Sequence, residues 1–177
     1  MMRTMRKTHF IALAAITLDG KLARSTRQIS FGWTSKEDYK FFKGYVDACD
    51  AIIVGRNTHR MSKSIIEKRN RNCIIFTRAV SGIEEKSPKL VYMNPTKKRV
   101  INYCRKRGFK KVAVLGGTGV FDYFLKQSLL DEMYLTIEPV VFGAGVPLLS
   151  QVTKARVKVR TLKKLNARGT VLYRIRF

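Results

Sequence analysis

With 177 residues, 45% of them apolar and 10% aromatic, the chain reads as one globular domain over 1–177, and this composition excludes a disordered or low-complexity segment. A chain of this size buries roughly two-thirds of the surface its unfolded form exposes, so no disulfide or metal staple is required for stability. Its formal charge of +24 predicts nonspecific attraction to polyanions at low salt, independent of any specific function.

Cys49, Cys73 and Cys104 lack zinc or redox spacing, and His9 and His59 lie in no metal-ligand pattern. No metal site is expected, and the odd, unpatterned cysteines suit a reducing, cytoplasmic setting. Met1 to Lys7 followed by Phe10 to Leu18 has the basic and apolar parts of a secretory leader. There is no small-residue cleavage site, however, and a buried first strand ending at the Asp19-Gly20 turn accounts for the same pattern. No apolar run approaches a membrane span, so no membrane partner is expected.

Taken in order, strand-like runs occupy Phe10 to Thr17, Ala51 to Gly55, Asn72 to Thr77, Leu90 to Met93, Val112 to Leu115 and Met133 to Glu138. Helix-like segments lie between them near Ser35 to Ala48, Thr58 to Lys68, Thr96 to Lys106 and Val120 to Leu129. Alternating strands and helices predict a layered α/β fold whose short Ile- and Val-rich strands are parallel and buried on both faces. After Pro147 the pattern becomes Val157 to Leu165, a turn at 166–169, and Thr170 to Phe177, which predicts a closing antiparallel hairpin at one edge of a mixed sheet. Arg156, Lys158 and Arg160 alternate with Val157 and Val159, placing the three cations on one strand face. Such a face is either simply solvated or contacts an anionic ligand or nucleic acid. No zinc-finger, RNP-type or KH-type signature accompanies it.

Ligands of open α/β sheets sit beyond the carboxyl ends of the strands, where helix N-termini favour anions. Three such junctions carry suitable residues. In "VLGGTGVFDYFL" the run Gly116-Gly117-Thr118-Gly119-Val120 joins a strand to a helix. It departs from G-x-G-x-x-G because Asp122 stands where a glycine or alanine is needed, and glycine serves steric turns as readily as phosphate binding. Gly55-Arg56-Asn57-Thr58 repeats the arrangement, with Asn57 or Thr58 as a helix cap and Arg56 as a donor fork beside the cleft. Thr77-Arg78 supplies a third hydroxyl and cation. Three ends of this kind suggest one extended, doubly phosphorylated ligand. Asp38, in Ser35-Lys36-Glu37-Asp38, is either half of a capping box with Ser35 or a cleft carboxyl that binds a heterocycle and relays a proton. Asp19-Gly20-Lys21 is either a plain turn or part of the same cleft.

These stretches, with Ala15 to Ala23, Gly55 to Thr58, Leu115 to Gly119 and the block Leu130 to Gly145, resemble the dihydrofolate-reductase-like fold. The resemblance is to the riboflavin-biosynthesis reductase family, the RibD-type C-terminal domain. It implies a three-layer sandwich around a mixed, mostly parallel sheet of about eight strands with the C-terminal antiparallel hairpin, NADPH as reductant, a small heterocyclic substrate and a homodimer. It implies that Gly55, Arg56, Asn57, Thr58, Thr77 and Arg78 hold the adenosine 2′-phosphate end and that Gly116, Gly117, Thr118, Gly119 and Val120 cradle the pyrophosphate. Ala15 and Ile16, with the Asp19 to Lys21 loop, line the nicotinamide and substrate side. Lys21 and Thr34 contact the substrate's polar side. Trp33 to Lys43 is similar to the helix that carries the catalytic acid of dihydrofolate reductases, with Asp38 at the acid, Thr136 behind it, and Arg71 where those enzymes hold a folate carboxylate. Riboflavin reductases usually carry Asp-Asn-Pro and a Glu where this chain has Met61 to Ser64 and Leu115. The implied activity is therefore reduction of a pyrimidine or pteridine. Reduction of 5-amino-6-(5-phosphoribosylamino)uracil stands first, that of dihydrofolate second, and a nucleic-acid-binding protein on an inactive reductase scaffold third.

Overall fold

The computed structural model describes residues 7–68, 70–152 and 154–177. The basic start of the leader-like pattern lies outside the described residues. In chain order the first half comprises β1 (His9–Thr17), β2 (Lys21–Ala23), α1 (Lys36–Asp47), β3 (Ala51–Gly55), α2 (Arg56–Lys68), β4 (Asn72–Phe76), β5 (Ile83–Ser87) and β6 (Leu90–Met93). The second half comprises α3 (Lys97–Lys106), β7 (Lys111–Val114), α4 (Thr118–Lys126), β8 (Glu132–Glu138), β9 (Val146–Pro147), β10 (Lys158–Lys164) and β11 (Val171–Arg176).

Nine strands form one sheet in the order β10-β11-β8-β1-β7-β3-β4-β6-β5, and β2 pairs with β9 beside it. The centre, from β8 through β1, β7, β3 and β4 to β6, is parallel throughout. The expected C-terminal hairpin adds β11 and β10 antiparallel at one edge. The other edge is antiparallel too, through β5, so the sheet has nine strands rather than about eight. β5 escaped the sequence reading because every residue of Ile-Glu-Glu-Lys-Ser is exposed and the segment offers no apolar run.

Side chains alternate across the sheet and build two cores. On one face Ala12, Ile53, Ile74, Val112 and Val114 meet Val100 and Cys104 of α3 and Phe121 and Phe124 of α4. On the other, Leu13, Ile52, Val54, Ile75 and Ala113 meet Val46 of α1 and Ile66 of α2. Phe124 is wholly buried, 5.3 Å from the ring of Phe10 and stacked on Phe76 at 5.8 Å. Burying a ring of this size contributes about 2–3 kcal/mol, enough to fix α4 and the loop that leads into it. All three cysteines are buried, and desolvation pushes the Cys73 and Cys104 thiols up to about 12, so they act as core apolar groups.

In the hairpin, Lys158 lies opposite Arg176 and Val159 opposite Ile175, after which the register shifts before Thr161. This irregularity at Arg160 breaks the alternation expected for Arg156, Lys158 and Arg160, and Arg156 precedes the strand.

Candidate active site

A cavity of about 880 Å³ runs along the carboxyl ends of the central parallel strands, floored by Leu13, Ala14 and Ala15 and walled by α1, α2 and α4. All three predicted junctions open into it: Gly55 to Thr58, Thr77 with Arg78, and Gly117 to Val120. Gly116 and Ile16 do not line it, and Ile16 is buried in the core.

Two of the junctions are tied directly together. Gly55 N donates to Gly116 O at 2.7 Å, and Gly117 N donates to Thr58 Oγ1 at 2.8 Å. Helix α2 begins at Arg56, so Asn57 and Thr58 lie in its first turn rather than capping it, and the Thr58 hydroxyl serves the neighbouring loop instead. The Thr118 hydroxyl donates to Pro147 O. What remains at the start of α4 is the pair of N–H groups of Thr118 and Gly119, which have no backbone acceptor among the described residues.

The loop's glycines divide by role. Gly116 has φ +84°, and a Cβ there would meet Phe121 Cε2 at 2.5 Å, so its need for glycine is structural. A Cβ on Gly119 would meet nothing within 4 Å, and one on Gly117 would meet only Thr58 Oγ1 at 3.5 Å. That leaves backbone open to close approach from the cleft, beside the exposed guanidinium groups of Arg56 and Arg78. These residues fit an extended diphosphate with a further anionic group, the chemistry of a phosphorylated dinucleotide. Thr77 is buried, and its hydroxyl accepts from Ala79 N at 3.1 Å, shaping the turn that presents Arg78.

At the other end of the cavity stand Asp38 and Thr136, both buried. Ser35 caps α1 by accepting from Asp38 N, but the reciprocal half of a capping box is absent. Ser35 N donates to Glu138 Oε1 at 2.7 Å instead, which releases the Asp38 side chain to face the cavity. Burial pushes the Asp38 carboxyl above the usual carboxylate range, the Thr136 hydroxyl opposes this, the charge of Glu138 adds to it, and Thr34 opposes it again.

Glu138 and Thr170 are the residues that sequence reasoning missed. Buried Glu138 accepts from Ser35 N and from Thr170 Oγ1 (2.6 Å), and Thr170 is held in turn by Asn166 in the hairpin turn. The available signal was a carboxylate closing an apolar strand, which cannot stay buried without donors.

Four expected site residues are placed differently. The Asp19 carboxylate accepts from Thr17 Oγ1, Gly143 N and Phe142 N at 2.6, 2.8 and 3.1 Å, tethering the 139–145 loop, and it does not line the cavity. These bonds, that from Thr17 foremost, hold its pKa below the usual value against some desolvation. Lys21 N donates to Thr17 Oγ1, and it is Leu22 and Ala23 that reach the cavity wall. Arg71 lines the cavity, but its guanidinium donates to Val46 O (2.7 Å), Cys49 O (3.2 Å) and Asp47 Oδ1 (2.7 Å). It therefore closes the C-terminus of α1 rather than offering a free carboxylate clamp. Thr34 lies next to the Asp38 helix, outside the cavity wall.

The likeness to known proteins agrees with this fold. The sequence model of the RibD C-terminal domain matches residues 8–172. Protein YwjB of Bacillus subtilis strain 168, itself uncharacterized, is 26% identical over 162 residues, 86% of this chain and 90% of that one. A diaminohydroxyphosphoribosylaminopyrimidine deaminase/5-amino-6-(5-phosphoribosylamino)uracil reductase of Thermotoga maritima superposes with TM-score 0.73 at 21% identity, over 96% of this chain and 56% of that chain. The dihydrofolate reductase of Enterococcus faecalis, in complex with NADP(H), superposes with TM-score 0.67 at 16% identity, over 97% of each chain. Built on a dihydrofolate-reductase-like sheet and matched from the start of β1 into β11, the chain belongs to the RibD C-terminal domain family.

Proposed function

We propose that the chain is an NADPH-dependent reductase of a pyrimidine or pteridine ring system, with 5-amino-6-(5-phosphoribosylamino)uracil, or a close relative, as its substrate. One observation carries the reading: a single cavity holds an anion-suited backbone loop with two exposed arginines at one end and a buried carboxyl with a raised pKa at the other. The family match and the likeness to the Thermotoga and Enterococcus enzymes support it.

Arg56, Asn57, Thr77 and Arg78 hold the phosphorylated adenosine end of the cofactor, while the Thr118 and Gly119 N–H groups receive its pyrophosphate. Ala15 leaves room on the cavity floor for the nicotinamide ring. Bound NADPH supplies a hydride to a C=N carbon or to the opened-ribose carbon of the substrate. The protein's contribution is to hold the two rings in contact and to keep water from between them. Asp38, whose pKa burial raises, would donate the proton that the substrate nitrogen takes up when hydride is added at carbon. Thr136 orients its carboxyl. Activity accordingly falls as pH rises through the elevated Asp38 pKa.

A second reading is dihydrofolate reduction, favoured by the placement of Asp38 against Thr136. The commitment of Arg71 to α1 argues against a folate glutamate in this cleft. The test is NADPH oxidation by the purified protein with the ribosylaminopyrimidine phosphate and with dihydrofolate. Turnover of the former is expected. Oxidation with neither, together with no thermal stabilisation by NADPH, would overturn the reading.

A further inference from the structure

We propose that the outer edge strand β10 is a binding surface for single-stranded nucleic acid, separate from the reductase cleft and independent of the activity assigned to it. Among the described residues β10 is the last strand on its side of the sheet and pairs only with β11, and two strands (β11 and β8) lie between it and β1 on the cavity floor. All seven of its residues are exposed. Four are cationic, Lys158, Arg160, Lys163 and Lys164, and no acidic residue follows Glu138 anywhere in the chain.

The pairing register sorts these side chains. Lys158, Thr161 and Lys163 lie opposite Arg176, Arg174 and Leu172 and so share a face with two further cations. Val159 and Leu162, 53% and 59% exposed, lie opposite Ile175 and Tyr173 on the other face. Exposed apolar side chains interleaved with cations along an open strand match a polymer that alternates phosphates with flat apolar rings. The strand carries no aromatic platform, so affinity comes from the phosphates, without sequence preference and with a strong dependence on salt.

Charge decides between this partner and a second copy of the chain. Antiparallel pairing of two β10 edges about a twofold axis would bring the four cations of each copy against the same four of the other, with no carboxylate on the strand to offset them. Buried Glu132, two strands in, is already bonded to Arg174 and Arg176, and Glu37, at the hairpin turn beyond the end of β10, accepts from Asn166. A polyanion removes this repulsion; a second copy intensifies it.

The experiment measures binding of a short fluorescein-labelled single-stranded RNA of mixed sequence by anisotropy across a salt series. Three proteins are compared: the native chain, a β10 variant (Lys158→Gln, Arg160→Gln, Lys163→Gln, Lys164→Gln) and an α3 control (Lys97→Gln, Lys98→Gln, Arg105→Gln, Lys106→Gln) that removes the same charge from another exposed surface. If all four strand cations contact phosphates, the slope of log affinity against log salt falls by about 3 in the β10 variant, at about 0.7 per contact, and changes little in the control. Unchanged circular dichroism and melting confirm that both variants fold. Equal losses in the two variants would assign binding to net charge and overturn the proposal, as would no binding by the native chain at low salt. A native dimer that the β10 variant dissociates, with RNA binding unaltered, would give the edge to a second copy and overturn it equally.

Discussion

Gly119→Val separates a phosphate-binding loop from a turn that merely needs glycine. A Cβ at this position has no neighbour within 4 Å, and the residue sits in the first turn of α4, where valine fits the backbone at least as well as glycine. By helix propensity the change alters folding by no more than about 0.5 kcal/mol, with valine the better residue. The branched side chain does, however, flank the N–H groups of Thr118 and Gly119, which must come within about 3 Å of a phosphate oxygen to bond it. Loss of one charge-assisted bond of about 1.5–3 kcal/mol weakens NADPH binding by roughly ten- to a hundredfold. At an NADPH concentration of about one hundred times the native Kd, ligand stabilisation is about 2.7 kcal/mol, and a hundredfold loss leaves about 0.4 kcal/mol. For a chain of this length, a thermal shift of roughly 5–10 °C would shrink to roughly 1 °C, while melting without ligand stays unchanged. Gly116→Ala is the structural counterpart: its Cβ strikes the Phe121 ring at a positive φ, so it lowers melting with or without NADPH. Gly117→Val is a less clean probe, because the Gly117 N–H is held by Thr58. Native NADPH affinity in Gly119→Val, or a loss of folding equal to the loss of binding, would return the loop to a purely steric role.

Asp38→Asn abolishes reduction while leaving NADPH binding intact. Because the folded pKa of Asp38 lies above its unfolded value, its favourable share of stability is present at low pH and is lost as pH rises through the folded pKa; chemical denaturation should therefore show the Asn variant gaining on the native protein toward alkaline pH. Glu138→Gln removes the like charge beside Asp38, lowers the Asp38 pKa, and moves the high-pH fall in activity to lower pH, read from a pH–rate profile. Arg71→Met lowers stability by about 1–2 kcal/mol through the lost bonds to Val46 O and Cys49 O, with KM for the pyrimidine substrate unchanged. At Glu132, burial alone would raise the carboxyl's pKa, but bonds from Arg174 and Arg176 outweigh it and hold it low, so this stabilisation is present above the unfolded pKa and fades as pH falls. Glu132→Gln costs about 1 kcal/mol at neutral pH, the upper end for solvent-screened pairs because both arginines are substantially exposed, and the cost shrinks as the native carboxyl becomes protonated.

The parallel centre of the sheet was legible because β3, β4 and β7 are short apolar runs buried on both faces and β1, β6 and β8 are apolar runs buried over at least half of their length, separated by helix-like segments. β5 and the β2–β9 pair were not legible, because their pairing is decided by neighbours rather than by their own residues. A Cβ on Gly145 would lie 2.3 Å from Ala23 O, a close approach that no local pattern announces. Within the site, the junctions could be read since glycine, arginine and threonine at strand ends have a local meaning. The partners of polar side chains could not. Asp19, Arg71 and Asp38 are all polar residues beside apolar runs, and only the fold decides which of them meets a backbone donor, which a helix end and which the cavity.

Asp38 shows why that distinction matters for chemistry. A carboxyl in the first turn of a helix ordinarily turns back to the N-cap or lies in solvent, and in either case remains ionised at neutral pH. Here the Ser35 N–H is taken by Glu138, which reaches the cap from the end of β8 and is itself fixed by Thr170 in the hairpin turn. Both effects on Asp38 act in one direction: its carboxyl is freed toward the cavity, and a second negative charge is set close to it. The hairpin thus shapes the candidate site although it does not line the cavity, and the burial that raises the Asp38 pKa favours the protonated carboxyl that the proposed proton transfer needs.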